Sequence, residues 1–581
     1  MDFEKILFDL QPIISAPNID AIPLDADSQE RYLSILDEVA VFFRAEHNRI
    51  IAGSSGLLKS LLKVLKEALP RCFDDTQSTP FWWSFASELI RCVANSLVDN
   101  DDNRKILFEE GSTILDRYVG RILVLNHEDN EELLLRTLAM TKNMCLENND
   151  YVRKFSKLQL PLLSYLRQGD DKSLILVSSQ LLRDFLAVEQ NVSLEDLQFF
   201  ADHMWMWSQE VIDLSGIPEE VDNDELIDPG LAILSYFTQC LELVVSKETF
   251  LDFGNSLVSL IQTRLLQTLE ELWPKQFDNK LIHMRRIITC IGHISAQKST
   301  ENKNEREICY ETIRKSNNGY KLGAVFMILS NSIASANEAP QVTKEISFQE
   351  LIHAASKLTD PMQMQGFLTF FRKLLTVSTA MEIDSETVRD LSHILKKTSD
   401  QSIFFQDLSP LLDALLNKIF SALPSSTVHD VLSEPYSLLL SILRDRDSTI
   451  SCLALDKLLV SSKTVPSTVT EPLWQNACKF QDQVASGEVN ISIFYIFQLA
   501  KTFGILLKNL ESDQKPLEDN FKPWIVQLLE FIKPLKTKND QASKSAVNNG
   551  KFVATMLLKL LEHTNDTEQD KLLRALAREI L

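Results

Sequence analysis

The sequence predicts an all-α chain organised as a solenoid of stacked helical repeats, and three observations predict it. Leucines fall in stripes at helical spacing and not in alternation. Only 15 glycines and 19 prolines occur in 581 residues, too little turn chemistry for an all-β chain. One segment grammar also recurs along the chain, the signature of a repeat architecture.

The grammar is clearest near the N-terminus. Asn48-Arg49 is followed by Gly56, and Asn103-Arg104 by Gly111, at the same spacing and each leading into an apolar helix. A degenerate third copy, NNDYVRKFSKLQLPLLSYL, keeps Arg153 and places Leu160-Pro161 where the glycine stood. The helix before each restart repeats as well. In SELIRCVANSLVDN, with the preceding Ala86, the residues Ala86, Leu89, Ile90, Val93, Ala94 and Leu97 form one apolar stripe. Glu88, Arg91, Asn95 and Asp99 fall on another face. In LLLRTLAMTKNMCLEN, Asn143 and Glu147 repeat the amide-then-acid pair four residues apart. The unit reads as long helix, turn, short helix, Gly or Pro break, medium helix, and only stacking covers its apolar face.

Later segments follow the same grammar more weakly. HMRRIITCIGHIS and GYKLGAVFMILSNSIASANEA read as long helices, the second with Asn331 in the amide position; DPMQMQGFLTFFRKLLT and DSTISCLALDKLLVSS read likewise. Units of roughly 40–50 residues imply on the order of ten to twelve repeats. The acidic stretch Ser215–Gly230 suggests a division near residue 225, a bend or inserted loop within a continuous solenoid. On this reading residues 1–225 are acidic N-terminal repeats and residues 226–581 are C-terminal repeats.

Charge narrows the partner class. The formal net charge is −22, and residues 1–230 hold 41 acids against 21 bases, so nearly all of it lies in that half. No Lys or Arg occurs between Asp184 and Ser246. Nucleic-acid binding needs a basic footprint and is disfavoured; a basic partner for the N-terminal half is favoured. No uninterrupted apolar run approaches the ~18 residues of a membrane span. MDFEKILFDLQPII also lacks the basic start of a secretory signal, so integral membrane contact is not expected and a cytoplasmic location is. The eight scattered cysteines form no CxxC and read as reduced core thiols. No P-loop, GxSxG, HExxH or EF-hand loop occurs, and the nine histidines form no ligand set. Catalytic residues, metal and cofactor are therefore not expected.

SELIRCVANSLVDNDDNRKILFEEG resembles an armadillo repeat, with Asn95 closing the third helix, Asn103-Arg104 opening the first and Gly111 preceding the second. Over residues 1–155, MDFEKILFDLQPII, the NRIIAG segment and IRCVANSLVDNDDNRKIL resemble the fungal bud-emergence family that binds Rho-type GTPases. That family is related to the animal armadillo exchange factor and chaperone smgGDS. The resemblance implies binding of Rho-family small GTPases, and a role as scaffold, chaperone or atypical exchange factor in cell polarity and MAP-kinase signalling. MAP-kinase pathway proteins are further partners it implies.

The candidate partner-binding residues follow. Asn95, Asn143 and Asn331 occupy the third-helix amide position, where an amide bonds either a partner's extended backbone or a neighbouring repeat. Asp99, Asp101, Asp102, Glu147 and Asp150 are expected at the C-terminal ends of the long helices, where carboxylates oppose the macrodipole. They read either as a solvated loop or as an acidic strip receiving Lys and Arg. Trp205 and Trp207, with Met204 and Met206, lie in the base-free stretch; they suit a prenylated, polybasic GTPase tail or else the core. The rival reading is an armadillo nuclear-transport receptor or general adaptor for basic peptides. Importin alpha uses a WxxxN ladder, and none of the seven tryptophans here has Asn four residues on.

Overall fold

The structure, a computed structural model, describes residues 3–74, 79–125, 130–189, 192–216, 228–246, 255–297, 303–333, 339–377, 384–433, 438–444, 446–461, 465–479, 492–562 and 567–581. Among the described residues every regular element is helical and none is a strand. The chain forms two compact units, Met1–Ser299 and Thr300–Leu581. The expected division near residue 225 and most of the Ser215–Gly230 loop fall on residues 217–227, outside the described residues.

In the first unit the long helices Ala26–Phe42, Pro80–Ser96, Glu131–Cys145, Lys172–Val188, Pro229–Val245 and Lys280–Ala296 pack each on the next in chain order. Between the first two lie a short helix, Glu46–Ser54, and a second helix, Leu57–Phe73. Asp101–Glu110 with the helical turns Ile114–Ile122, and Asn149–Phe155 with Gln159–Gln168, repeat that arrangement. These are three-helix armadillo-type units. After Lys172–Val188 the pattern simplifies to helix pairs of HEAT type, with Leu194–Glu210 and Asn255–Leu272 backing the ladder.

The second unit builds an equivalent ladder from Gly319–Ser332, Pro361–Val377, Leu408–Ala422, Ser448–Val460, Ile493–Ser512 and Gln541–Leu561. Among the described residues one helix, Ile493–Ser512, is long and apolar enough to cross a membrane. It is a ladder helix, packed between Ser448–Val460 and Gln541–Leu561.

The apolar stripe predicted on Pro80–Ser96 is the core: Leu89, Ile90, Val93 and Leu97 are 0% exposed. Burying each such side chain contributes about 2 kcal/mol. All eight cysteines are buried as thiols, with no disulfide among the described residues. Burial pushes the Cys72 and Cys145 thiols up to about 12, so neither carries thiolate at neutral pH.

The Asn-Arg pair has a physical role that its recurrence alone did not reveal. The last carbonyls of a helix lack intrahelical donors. Asn48 Nδ2 donates to Phe42 O at 2.8 Å, and Arg49 Nη1 to Arg44 O at 2.8 Å, closing the end of the preceding long helix. One repeat later, Asn103 Nδ2 donates to Ser96 O at 2.8 Å and also reaches back to Arg49 O at 2.9 Å. Arg104 Nη1 reaches forward to Leu146 O at 3.3 Å. The pair thus closes one helix and stitches three successive repeats.

The two break glycines are required for different reasons. Gly56 has φ 80°, a left-handed conformation that disfavours a Cβ. Gly111 has φ −95°, and there the limit is space: a Cβ would sit 2.6 Å from Leu107 O.

Two stability predictions arise here. Asn103→Ala leaves the carbonyls of Ser96 and Arg49 without this donor, and a loss of about 2 kcal/mol is expected in urea unfolding. In the second unit, burial pushes the Asp413 carboxyl up from 3.8 to about 6, outweighing the pull of Arg446 and aided by Asp447. Folding therefore favours the protonated acid, and its contribution is lost as pH rises from about 4 through about 6. Asp413→Asn is expected to raise the melting temperature relative to the parent above pH 7 and to leave it unchanged at about pH 4.

A candidate partner-binding face on the first unit

Asn95 and Asn143 lie one repeat apart on the ladder. Asn95 Nδ2 donates to Ala40 O at 2.8 Å and Asn143 Nδ2 to Ala94 O at 3.0 Å, each bonding the long helix before its own. The amide donors thus serve the neighbouring repeat, while both side chains remain half-buried at the surface. Asn331 is half-buried near the end of Gly319–Ser332, in the second unit, so the first-unit residues do not gather around it.

A charged network that sequence reasoning did not single out runs beside these amides. Arg91 pairs with Asp37 at 2.5 Å and Glu88 at 3.2 Å; Arg136 pairs with Glu88 at 2.8 Å and also with Glu132. The helical spacing of Glu88, Arg91 and Asn95 signalled their shared face. Only the stack reveals that their charges are met by the neighbouring helices.

The carboxylates require a correction. Asp99 and Glu147 do follow the long helices, both in left-handed conformation with φ 50° and 56°. Asp101 and Asp102 instead form the first turn of Asp101–Glu110, and Asp150 that of Asn149–Phe155. There the macrodipole favours them, so the expected electrostatic penalty does not apply to these three. The boundary is set by Asn100 and Asn148, whose side chains cap the short helices by accepting from the Asn103, Asp150 and Tyr151 amides.

These acids are open to solvent but differ in what they hold. Asp101 is 90% exposed yet pairs at 2.7 Å with the buried Arg104 guanidinium. Asp99 lies 4.0 Å from Arg49. Asp150 is 89% exposed and pairs with the exposed Arg153 at 3.1 Å. Asp102 is exposed with no ion-pair partner among the described residues.

The tryptophans divide. Trp207 is 4% exposed and belongs to the core. Trp205 is half-buried, and the Arg264 guanidinium covers its ring at 4.7 Å from the centroid. Arg264 also pairs with Asp202 at 2.6 Å. Lys275 Nζ donates to Ser208, Gln209 and Val211 carbonyls at the end of Leu194–Glu210. The stretch without bases in sequence is thus served by bases from the next helix and loop. Met204 is buried and Met206 is 41% exposed. The structure therefore does not place the predicted Trp pair on one open apolar surface.

Among the described residues no group of His, Cys, Asp or Glu is arranged to hold a metal. The face offers carboxylates and half-buried amides, a chemistry of recognition by charge and hydrogen bond.

Family models for the BEM4 N-terminal domain and the BEM4 C-terminal domain match residues 1–245 and 263–580. A Saccharomyces cerevisiae protein named GTPase-GDP dissociation stimulator BEM4 is 35% identical over 636 aligned positions, which cover 100% of both chains. The chain belongs to the BEM4 family. Solved structures give weaker likenesses. A chain from work on the phosphorylation switch between cadherin and beta-catenin aligns at TM-score 0.49 and 12% identity, covering 100% of this chain and 98% of that one. A chain of the SYS-1/POP-1 complex aligns at TM-score 0.49 and 12% identity, covering 96% and 100%. The fold assignment rests on the packing described above.

The geometry separates two neighbouring acids of this BEM4-family chain. Asp101→Lys is expected to lower the melting temperature by about 3 °C, because it sets a cation beside the buried Arg104. Asp102→Lys is expected to change it by less than about 1 °C, and differential scanning calorimetry reads both.

Proposed function

We propose that this chain is a non-enzymatic binding protein for Rho-family small GTPases, and that it engages a basic C-terminal tail through its acidic first unit. The observation that carries the reading is where the charge lies. Residues 1–299 hold 47 acids against 28 bases, while residues 300–581 hold 34 against 31. The Asp99–Asp102 and Glu147–Asp150 turns put exposed carboxylates at equivalent points of adjacent repeats. The BEM4 relative's name, a GTPase-GDP dissociation stimulator, supports the partner class.

On this reading the protein is cytoplasmic and acts as scaffold, chaperone or atypical exchange factor in cell polarity and MAP-kinase signalling. An exchange activity would come from preferring one nucleotide-bound conformation of the GTPase over another, not from bond-making chemistry. Long-range attraction would speed encounter with the tail and make binding salt-sensitive.

The experiment compares binding of a Rho-family GTPase with and without its basic tail, at about 50 and about 300 mM salt, with labelled-nucleotide release followed in the same samples. The reading expects tail-dependent binding that weakens with salt. Asp102→Lys with Asp150→Lys should weaken it about tenfold without unfolding the chain, since each reversal turns an attraction into a repulsion. Equal binding of tailed and tailless GTPase would reject the acidic first unit as the tail site. Faster nucleotide release would mark an exchange factor; binding with unchanged release would mark a chaperone or scaffold.

A further inference from the structure

The second unit contains a buried cation that meets little anion among the described residues. The Arg446 side chain is 7% exposed. Its Nη2 donates to Ser399 Oγ at 2.7 Å and Ser402 Oγ at 2.9 Å, and its Nη1 to Ser409 Oγ at 2.9 Å. Three neutral hydroxyls thus take the place of carboxylates. Among the described residues the one ion-pair partner of Arg446 is Asp413, 3.8 Å away, whose Oδ1 makes no hydrogen bond there. Arg446 Nε is likewise buried without an acceptor. The Asp447 side chain is engaged in capping Ser448–Val460 through the Thr449 amide. A buried guanidinium so placed gains from an anion with several acceptor oxygens.

One of the three hydroxyls stands in a distinctive sequence. Ser409 precedes Pro410, and only Thr79-Pro80 repeats a Ser/Thr-Pro dipeptide among the 19 prolines. Ser409 lies in the first turn of Leu408–Ala422, where the macrodipole favours negative charge. The N-cap residue, Asp407, makes no side-chain capping bond, so that turn is held by backbone bonds from Leu408 to Phe405 and from Ser409 to Gln406. The approach is open: Ile403, Phe404 and Phe405 are 72%, 82% and 41% exposed. Leu408 is buried, so an enzyme reaches Ser409 only as this single turn opens.

We propose that Ser409 is a phosphorylation site for a proline-directed protein kinase and that Arg446 receives the phosphate. The Ser409 Oγ attacks the γ-phosphorus of ATP on the kinase, forming the O–P bond. The bond from that phosphorus to the β-bridging oxygen breaks, ADP leaves, and the hydroxyl proton passes to the kinase's base. The dianion that results faces Arg446 and the start of a helix, so modification preserves the fold while changing the charge beside the exposed Ile403–Phe405 loop. Asp407 and Asp413 oppose it, and the exchange of three hydroxyl partners for phosphate oxygens on Arg446 favours it. This site is independent of the GTPase-binding reading.

The test uses the full chain carrying Thr79→Ala, which removes the other dipeptide and, since Thr79 makes no capping bond, leaves its helix intact. A purified proline-directed kinase with Mg-ATP should add one phosphate, mapped to Ser409, that Ser409→Ala abolishes and Pro410→Ala strongly reduces. Phosphorus-31 NMR then titrates the phosphoserine. With Arg446 present its second pKa should fall below the ordinary value of about 6, and Arg446→Gln should restore that value. Arg446→Lys, which keeps the charge, should give an intermediate value and covers the case in which the Gln variant does not fold. Phosphorylation of a peptide spanning residues 403–415 without modification of the folded chain would overturn the proposal, as would failure of both. Equal phosphate pKa values with Arg446 and with Gln or Lys in its place would overturn the role of Arg446.

Discussion

A helix ends on carbonyls that need donors, and at successive steps of the described ladders one repeat supplies them to another. Asn95 bonds Ala40, Asn143 bonds Ala94, Gln297 bonds Val245 and Asn509 bonds Leu459, each reaching the last turn of the ladder helix before its own. In the second unit, lysines do the same at two steps: Lys373 donates to Ser330 O and Lys457 to Leu423 O. Apolar burial alone would let two helices slide along each other, because the hydrophobic effect is not directional. A buried donor facing a carbonyl fixes the register, since a slip would strand both groups.

That constraint limits which polar groups remain for a partner. The Asn-Arg pairs, the amide donors and the Asp37–Arg91–Glu88–Arg136 network already serve the stack. Exposed carboxylates remain at the turns between long and short helices, at Asp99, Asp101, Asp102, Glu147 and Asp150. An exposed ion pair contributes little to stability, and like charges gathered on one surface repel one another. Their summed field acts beyond contact distance, the property on which the proposed encounter with a basic tail draws.

The repeats were legible from particular residues. Gly56 and Gly111 marked the breaks because a Cβ is excluded at one by backbone angle and at the other by space. The stripe from Ala86 to Leu97 marked the core because helical periodicity survives in any one helix read alone. The candidate face was legible only in part. Asp101, Asp102 and Asp150 were assigned to the wrong end of a helix, because the boundary depends on whether Asn100 and Asn148 close one helix or cap the next. The base-free stretch around Trp205 and Trp207 read either as a surface for a basic, prenylated tail or as core. Arg264 and Lys275, more than 50 residues along the chain, fold back onto it.

By itself the sequence determined what is local and periodic: helices, their apolar faces, the repeat unit and the concentration of acid in the first half. The tertiary structure decided which polar groups are already engaged, because those partners come from helices remote in sequence. Asn95 and Arg264 were readable as an amide and a base, and the stack alone gave one a carbonyl and the other an indole ring.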